Sequence, residues 1–592
     1  KLITRSESYF SEGKYDKSIE LANKAHKHVL SKKESTSPIY FMQYLYEKSN
    51  LKKENSFNKL YQTTINLAYC LQAKGIEVNQ AESLYIEAIN LVKKEFPNNP
   101  EYLLFPTVGC FKIYLARGDY FKSDSCYTEL SKVLVNLNKY DEYYKAQSLV
   151  LYAAFAERNH AIEKAIYLRK EALETYRKRS SIRKGNYYIS LLLSVSKDYI
   201  NINQLEKADE NLKECDILLR KKKNQKIYRD YLIVVAQYLE MASDNSRAEK
   251  ILLQLLELTL NTPGISELDI ANAQYLVASH YFRTRKYLLA NEFFNKSLNT
   301  ARTIENEYPI AYNDFLFGSA LSDFKVNKIA SSLKKASRLE SFYFNQFDKY
   351  FLFMPEEEKE RFIEKLEKKI NLLNYVRISV GDSSQIKNVF NNILAIKAVA
   401  LESNRFIRNI LFKENFSNMS HDFAVLTRRK EELELNRLTE SLPIEYITHI
   451  EDSLRKIEIQ MIKSIVENSD FTRFRVNSAS WLNIRSSLKK GQVAIEFLNL
   501  PMDPIVQNKR TYYALIVKPE SKFPALIKLC EESEIAKLIL YTGSTKESIN
   551  KIYNGNTFNK LYKLIWSPLN NYIRDAEKIY VSLSGILYQI SL

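Results

Sequence analysis

Glycine and proline are scarce in this chain, with 12 and 13 among 592 residues. A protein built on many tight turns needs more of both, so the shortage argues for long helices over many short strands. Five cysteines, an odd number scattered over a large chain, argue against a disulfide scaffold and point to a reducing compartment. The cytoplasm is therefore the expected location. No apolar run nears the ~18 residues needed to span a bilayer, and the longest lies around Tyr231–Ala236. No membrane partner is expected. HExxH, CxxC, GxxxxGKS/T and GxGxxG are all missing, so no metal and no cofactor are expected. The first residue is Lys1 rather than Met, so upstream residues are expected, and they leave a signal peptide open.

What is present is globular in composition: 45% hydrophobic and 27% charged residues, with 87 Lys and Arg against 70 Asp and Glu, a net charge of +17. The basic residues are interleaved with acids along the whole chain, unlike the stripe of a nucleic-acid-binding face. The densest run, Arg220–Lys223, closes an expected helix, where cations offset the helix dipole. Direct nucleic-acid contact is not expected. An RNA-binding solenoid remains a minor reading that would require strongly salt-dependent binding.

The first half of the chain repeats a pattern best seen at residues 273–297. Tyr281 and Phe282 close one helical stripe, Arg283 to Lys286 form a polar turn, and Tyr287 and Ala290 open a second stripe through Phe293, Phe294 and Ser297. Ala290 and Ser297, seven residues apart, face the preceding helix, where a small side chain lets two backbones approach. At the position of Ala290 the chain has Ser18, Ala81, Ser123, Ala165, Ala208 and Ala248, and Ala330 follows. The steps are 63, 42, 42, 43, 40, 42 and 40 residues, and the long first step is expected to hold an insertion or a degenerate unit. This grammar resembles tetratricopeptide repeats, with Tyr9, Phe10, Gly13, Tyr15, Ile19 and Ala25 matching the family motif. The usual repeat has about 34 residues, so a period near 42 implies helices about one turn longer.

Residues 1–345 are thus expected to form an α-solenoid, the first helix of each pair lining a concave face that takes a protein or peptide partner. Counting back from the small anchors places Lys197, Gln237, Asn272 and Ser279 on that face. The plain alternative for each is an ordinary solvated position. Cys70, Cys110, Cys126 and Cys215 fall inside repeats and read as small hydrophobes. His26 and His28 point roughly 200° apart on a helix, which is wrong for a shared metal. His160 and His280, near turns, read as packed or solvated.

Residues 346–485 read as a long-helix linker and arm. Met354-Pro355-Glu356-Glu357-Glu358 opens a helix with acids at its positive end, and residues 421–465 give two amphipathic stretches across a short break, an expected antiparallel arm. After residue 490 the period changes to 2. Val493, Ile495 and Phe497 alternate on one face, and Asn499 is expected to end the strand. Thr511–Val517 is a second strand and Ala525–Leu529 a third. The stretch 532–575 returns to helix. Ser584-Gly585 is then expected to turn a tight hairpin between two strands. Because the chain stops on an apolar segment at Leu592, a continuation is expected.

The segment order from about residue 350 resembles the CHAT family, caspase-like cysteine peptidases joined to tetratricopeptide repeats. The likeness rests on Pro355–Phe362, Asn388–Glu402, the charged arm, Leu488–Phe497 with Tyr512–Val517, and Leu561–Leu569 leading into Ile579–Leu587. It implies that residues 486–592 are the first part of an α/β peptidase domain. It also implies catalysis by a strand-ending His-Gly and a later Cys, both expected beyond Leu592. No catalytic dyad is expected in the chain itself: Cys530 is the lone cysteine of the β region, and the last histidine, His449, sits in the arm. The reading favoured by the resemblance is a bacterial sensor in which partner binding to the solenoid gates cleavage of a protein substrate, through the arm. Such family members occur in defence and regulated cell death, some with RNA-guided effectors. The competing reading is a non-enzymatic scaffold with a degenerate C-terminal domain.

Overall fold

The computed structural model describes residues 17–24, 55–74, 77–137, 142–158, 162–178, 186–220, 225–351, 354–411, 417–438, 444–467, 480–501, 509–539 and 556–590. The chain divides into two compact units, Lys1–Asn327 and Lys328–Leu592. His26, His28, His160, the motif residues before Lys17 and most of the long first repeat step lie outside the described residues.

The first unit is a tetratricopeptide-like α-solenoid. After a helical stretch at 17–24, its helices are α1 (Asn55–Lys74), α2 (Val78–Glu95), α3 (Leu104–Arg117), α4 (Tyr120–Leu137), α5 (Glu142–Arg158), α6 (Ile162–Arg177), α7 (Asn186–Asn201), α8 (Leu205–Leu219), α9 (Gln225–Met241), α10 (Asn245–Leu260), α11 (Glu267–Arg283), α12 (Tyr287–Thr300) and α13 (Pro309–Lys325). Odd-numbered helices are the first of each pair and even-numbered ones the second.

Two periodic devices build the pairs. The first is the small anchor: Ser18, Ala81, Ser123, Ala165, Ala208, Ala248 and Ala290 are all buried, so each second helix packs close against its partner. The residue seven further on is also small and buried at Ala88, Ala172, Cys215 and Ser297. Ser297 Oγ uses the closeness to donate to the Ala271 carbonyl at 2.7 Å. The second device is the turn. Gly118 (φ 70°), Asn203 (58°), Ser243 (62°) and Arg285 (63°) each take the left-handed conformation. The next amide then reaches back to the last turn of the helix: Gln204 N to Tyr199 O, Asp244 N to Leu239 O and Lys286 N to Tyr281 O, each 2.8 Å.

The expected anchor Ala330 is exposed, and the buried small residue is Ser332. Measured from Ala290 to Ser332 the last step is 42 residues, which fits the period better than the expected 40. The slip arose because Ala is the commoner anchor, although Ser already fills that place at positions 18 and 123.

The solenoid also closes on itself. Helix α13 packs against α3 although four helix pairs intervene in the sequence. The first helices therefore surround an inner space instead of lining an open groove.

The second unit starts with α14 (Ile329–Tyr350), α15 (Glu356–Ser379) and α16 (Ser383–Leu411). Pro355 is the N-cap of α15, with Glu357 and Glu358 in its first turn at the positive end. A polar network stitches these helices together. The fully buried Arg377 donates through Nε to Glu340 Oε1 at 2.8 Å and through Nη2 to Glu340 Oε2 at 2.6 Å and Ser337 Oγ at 2.9 Å. Asn392 Nδ2 donates to Glu340 Oε1 and Asn374 Oδ1, both at 2.9 Å. Next come α17 (Ser417–Leu438) and α18 (Ile444–Glu467), which pack on each other. Their core is Leu426, Leu433, Leu454 and Met461, and Lys430 Nζ pairs with Glu458 at 2.5 Å.

After the short α19 (Trp481–Ser487), four strands form a sheet: β1 (Gln492–Pro501), β2 (Arg510–Val517), β3 (Ala525–Glu531) and β4 (Lys578–Ser582), in the order β3-β2-β1-β4. β1 and β2 pair antiparallel, as do β2 and β3, whereas β4 joins β1 in parallel. Such a parallel return needs a crossover, and α20 (Glu532–Ile539) and α21 (Asn556–Ile565) lie within it. Both faces of β1 are covered. Val493, Ile495 and Phe497 pack with Ile535, Leu561 and Ile565, while Leu498 and Leu500 pack with Val389, Phe390 and Trp481.

Two sequence expectations fail here. Asn499 does not end β1, which continues to Pro501: its side chain is buried, with Nδ2 donating to Glu532 Oε1 at 2.5 Å and Oδ1 without a hydrogen-bond partner among the described residues. Ser584-Gly585 does not turn a hairpin. Residues Gly585–Gln589 form a 3-10 turn, pinned by Tyr512, whose Oη donates to the Ser584 carbonyl at 3.2 Å and accepts from the Ile586 amide at 2.9 Å. Gly585 has φ 57°, and a Cβ there would run into that hydroxyl.

Candidate functional site

The four residues expected on the concave face lie on first helices: Lys197 on α7, Gln237 on α9, and Asn272 and Ser279 on α11. Lys197 is exposed and the other three are half-buried. Gln237 Oε1 is shielded from water and has no hydrogen-bond partner among the described residues. A buried, unbonded carbonyl costs free energy in the absence of a donor, so Gln237 is the one of the four that shows unmet bonding capacity.

The inner space holds a second group of side chains that anchor counting did not find. Lys112 on α3 points away from the core residues Cys110, Phe111 and Tyr114, and it is exposed. Yet surrounding protein holds its ammonium below the ordinary lysine range, with Lys226 on α9 adding like-charge repulsion. Helices α3 and α9 are separated in sequence by two intervening pairs, yet those two cations lie within electrostatic reach of each other. The same holds for Tyr69 on α1 and Tyr187 on α7, which are 44% and 56% exposed. Surrounding protein raises both phenols, and Tyr69 is within electrostatic reach of Tyr187.

Carboxylates stand among these cations. Asp230, one turn beyond Lys226 on α9, is exposed, and its carboxyl is raised by desolvation, Lys226 opposing and Asp269 on α11 reinforcing the shift. Glu307, just before α13, is pushed up to about 7 by burial, with Arg117 of α3 pulling down and Glu77 pushing up. Its Oε2 is buried without a hydrogen-bond partner among the described residues. No local motif marks these positions, because what joins them is the winding of the solenoid.

His280 is buried and its Nδ1 lies 2.9 Å from Glu240 Oε1, on a carboxylate that Arg283 also engages. That is a packed histidine tying repeats together. The cysteines offer no poised nucleophile. Burial pushes the thiols of Cys110, Cys126, Cys215 and Cys530 up to about 12, so the thiolate fraction near neutrality is negligible. Cys70 Sγ lies 3.1 Å from Ser18 Oγ, a contact between an anchor and the helix it packs on. Among the described residues, no group of three or more His, Cys, Asp and Glu is placed to hold a metal, and no helix is long and apolar enough to cross a membrane.

In the second unit one lysine ties the middle of β1 to the end of β4. Lys397 Nζ on α16 pairs with Glu496 of β1 and bonds Ser582 Oγ of β4 at 3.0 Å and the Leu583 carbonyl. Glu496 also accepts from Ser582 Oγ at 3.1 Å, and burial raises its carboxyl against the pull of Lys397.

No family profile matches the chain, and no curated protein matches it. Solved structures do. A Rap protein complexed with competence and sporulation factor aligns at 17% identity over 62% of this chain and 98% of its own, with a TM-score of 0.39. NprR in complex with its cognate peptide NprX aligns at 14% identity over 60% of this chain and 96% of its own, with a TM-score of 0.37. A signal transduction ATPase with a tetratricopeptide repeat sensor, from Pyrococcus horikoshii, aligns at 14% identity over 67% of this chain and 66% of its own, at 0.32. Likeness this distant carries no argument about sites, which rest on the residues above.

Proposed function

We propose that this chain is a binding protein whose solenoid receives a protein or peptide partner on the inner face of its first helices. The observation that supports this is the set of exposed polar and aromatic side chains on first helices far apart in sequence, Tyr69 with Tyr187, Lys112 with Lys226 and Asp230 with Asp269, that lie within electrostatic reach of one another. Charged groups held in a recess cost desolvation that a complementary ligand offsets. Lys197, Gln237, Asn272 and Ser279 extend the same surface, and Gln237 brings an acceptor in want of a donor. The test is capture of partners by the immobilised full chain from lysate of its source cells, followed by identification of what is retained. Lys197→Glu with Asn272→Ala is expected to abolish retention of at least one partner, and unchanged retention would remove those two positions from the site.

A second reading, that the second unit is the beginning of a caspase-like peptidase gated by the solenoid, is favoured by one observation. The sheet returns by a crossover to a parallel pair, β1 and β4, and Lys397 ties the carboxyl end of β4 to Glu496, midway along β1. Crevices at the carboxyl ends of parallel strands are where α/β folds place their chemistry. Reading the source gene past the codon for Leu592 tests it. A downstream His-Gly and a strand-ending Cys support the peptidase, and a stop codon there leaves the scaffold.

A further inference from the structure

The sheet of the second unit ends differently on its two sides. β3 closes one side, and its middle residue, Lys528, is exposed. The pairing of β3 with β2 also slips by one residue between Thr511 and Tyr513. A charge and a register irregularity are two devices that keep a sheet edge from pairing with another chain. β4 closes the other side and has neither at its centre. It pairs with β1 in unbroken register from Lys578 to Ser582, it contains no proline or glycine, and its middle residues are Ile579, Tyr580 and Val581. Tyr580 and Val581 are 44% and 41% exposed, and as neighbours in a strand they point to opposite faces. Among the described residues no strand lies beyond β4. Its outward amides and carbonyls are therefore an open ladder flanked by apolar side chains. The edge is also held still: Lys397 Nζ bonds Ser582 Oγ at 3.0 Å and the Leu583 carbonyl. A strand that docks there orders little of β4 in doing so.

Such an edge fits a strand that is apolar on both faces and carries no charge at its centre. β1 and β2 have neighbours on both sides, and β3 is blunted by Lys528. The described strand that meets the requirement and has a side to offer is β4 itself. Two copies can meet there antiparallel, about a two-fold axis normal to the sheet. Side chains alternate, so each face stays continuous only when residues of the same parity lie opposite. Centring on Tyr580 sets it against the partner's Tyr580, Ile579 against the partner's Val581 and Lys578 against the partner's Ser582. Apolar groups then meet apolar groups on both faces. The two Lys578 residues fall four strand positions apart, about 13 Å, beyond the screening length of about 8 Å. Pairing β4 with the partner's β3 would bring Lys528 into the junction and would not close, adding copies without end.

We propose that β4 is a self-association edge: two copies of this chain join antiparallel along it, centred on Tyr580, into one continuous sheet with four strands from each copy. The edge belongs to the second unit alone, so it is independent of what the solenoid binds.

The experiment is size-exclusion chromatography with light scattering on the full chain, joined to cysteine cross-linking. One strand pair is a small interface, so concentrations from about 1 to about 100 μM bracket the expected transition. The mass is expected to rise from 69.3 kDa towards twice that value with concentration. Tyr580→Lys sets like charges against each other on the axis and is expected to weaken dimerisation about tenfold or more. Tyr580→Cys is expected to form a disulfide with its own copy under mild oxidation. Opposite Cα atoms of an antiparallel pair lie about 4.5–5.5 Å apart, within disulfide reach. Lys578→Cys, about 13 Å from its copy, is expected not to cross-link. Both positions are exposed, and circular dichroism of each variant separates loss of fold from loss of pairing. A chain that stays at 69.3 kDa throughout overturns the two-fold pair. So does a dimer that survives Tyr580→Lys or cross-links equally at residue 578. Slow hydrogen exchange of the outward β4 amides in a monomer would give the edge to another segment of the same chain, and growth into open multimers would mean β4 meeting β3. Either result also removes the pair.

Discussion

The two units hold together in opposite ways. In the first, almost every contact is with the next helix or the next pair, and the same buried anchor and left-handed turn recur at steps near 42 residues. In the second, the ties span long stretches of sequence. Arg377 reaches back to Glu340, Lys397 forward to Glu496 and Ser582, and β1 pairs with a strand more than eighty residues later. A solenoid of this kind distributes stability over many similar small interfaces, so one defect is local. A sheet-centred unit concentrates it in a few junctions, so one defect is general.

Four substitutions sharpen that contrast. The largest effect is expected at Arg377→Ala, which strands the buried Glu340 carboxylate without its cation and should cost about 3–5 kcal/mol, measured by urea denaturation. The whole second unit should lose cooperativity. Gly318→Ala follows: a Cβ on α13 would enter the ring of Phe294 on α12, and overpacking should cost about 1–3 kcal/mol. Hydrogen exchange should confine the damage to α12, α13 and their immediate neighbours, and a loss of protection throughout the first unit would refute the distributed picture. Arg285→Gly should instead stabilise, by up to about 1 kcal/mol, because the residue occupies φ 63° without glycine's freedom.

The smallest effect concerns pH. Folded Glu307 keeps its proton up to about 7 rather than the ordinary 4.5, so the folded state binds more protons between those values and loses stability as pH rises through them. Glu307→Gln should flatten that part of the stability profile of the first unit, and an unchanged slope in thermal melts from pH 5 to about 7.5 would assign the slope elsewhere.

The same contrast decides what could be read from the sequence. A small buried residue between two apolar stripes is a local signal, so the solenoid and its anchors were legible down to Ser297, and even the slip at Ala330 was two residues. The strands β1, β2 and β3 were legible from their alternation. The turn at Gly585 was not, because the reason for its shape, the Tyr512 hydroxyl, lies over seventy residues away. Asn499 was misread for a similar reason: polarity inside an apolar face ends a strand only if no partner waits, and Glu532 does. The inner-face group was invisible for a third reason. Lys112 and Lys226 come within electrostatic reach through the pitch of the solenoid, a sum of many small rotations that no window of sequence contains.

That winding has a mechanical consequence. A free stack of repeats behaves as a spring whose coils move independently, and a pull on one end is felt mainly by its neighbour. Once α13 touches α3, the spring becomes a hoop, and any change in its girth is shared by every pair between them. A molecule small enough to sit inside the hoop would then act on its circumference as a whole, and the first thing to yield would be the clasp.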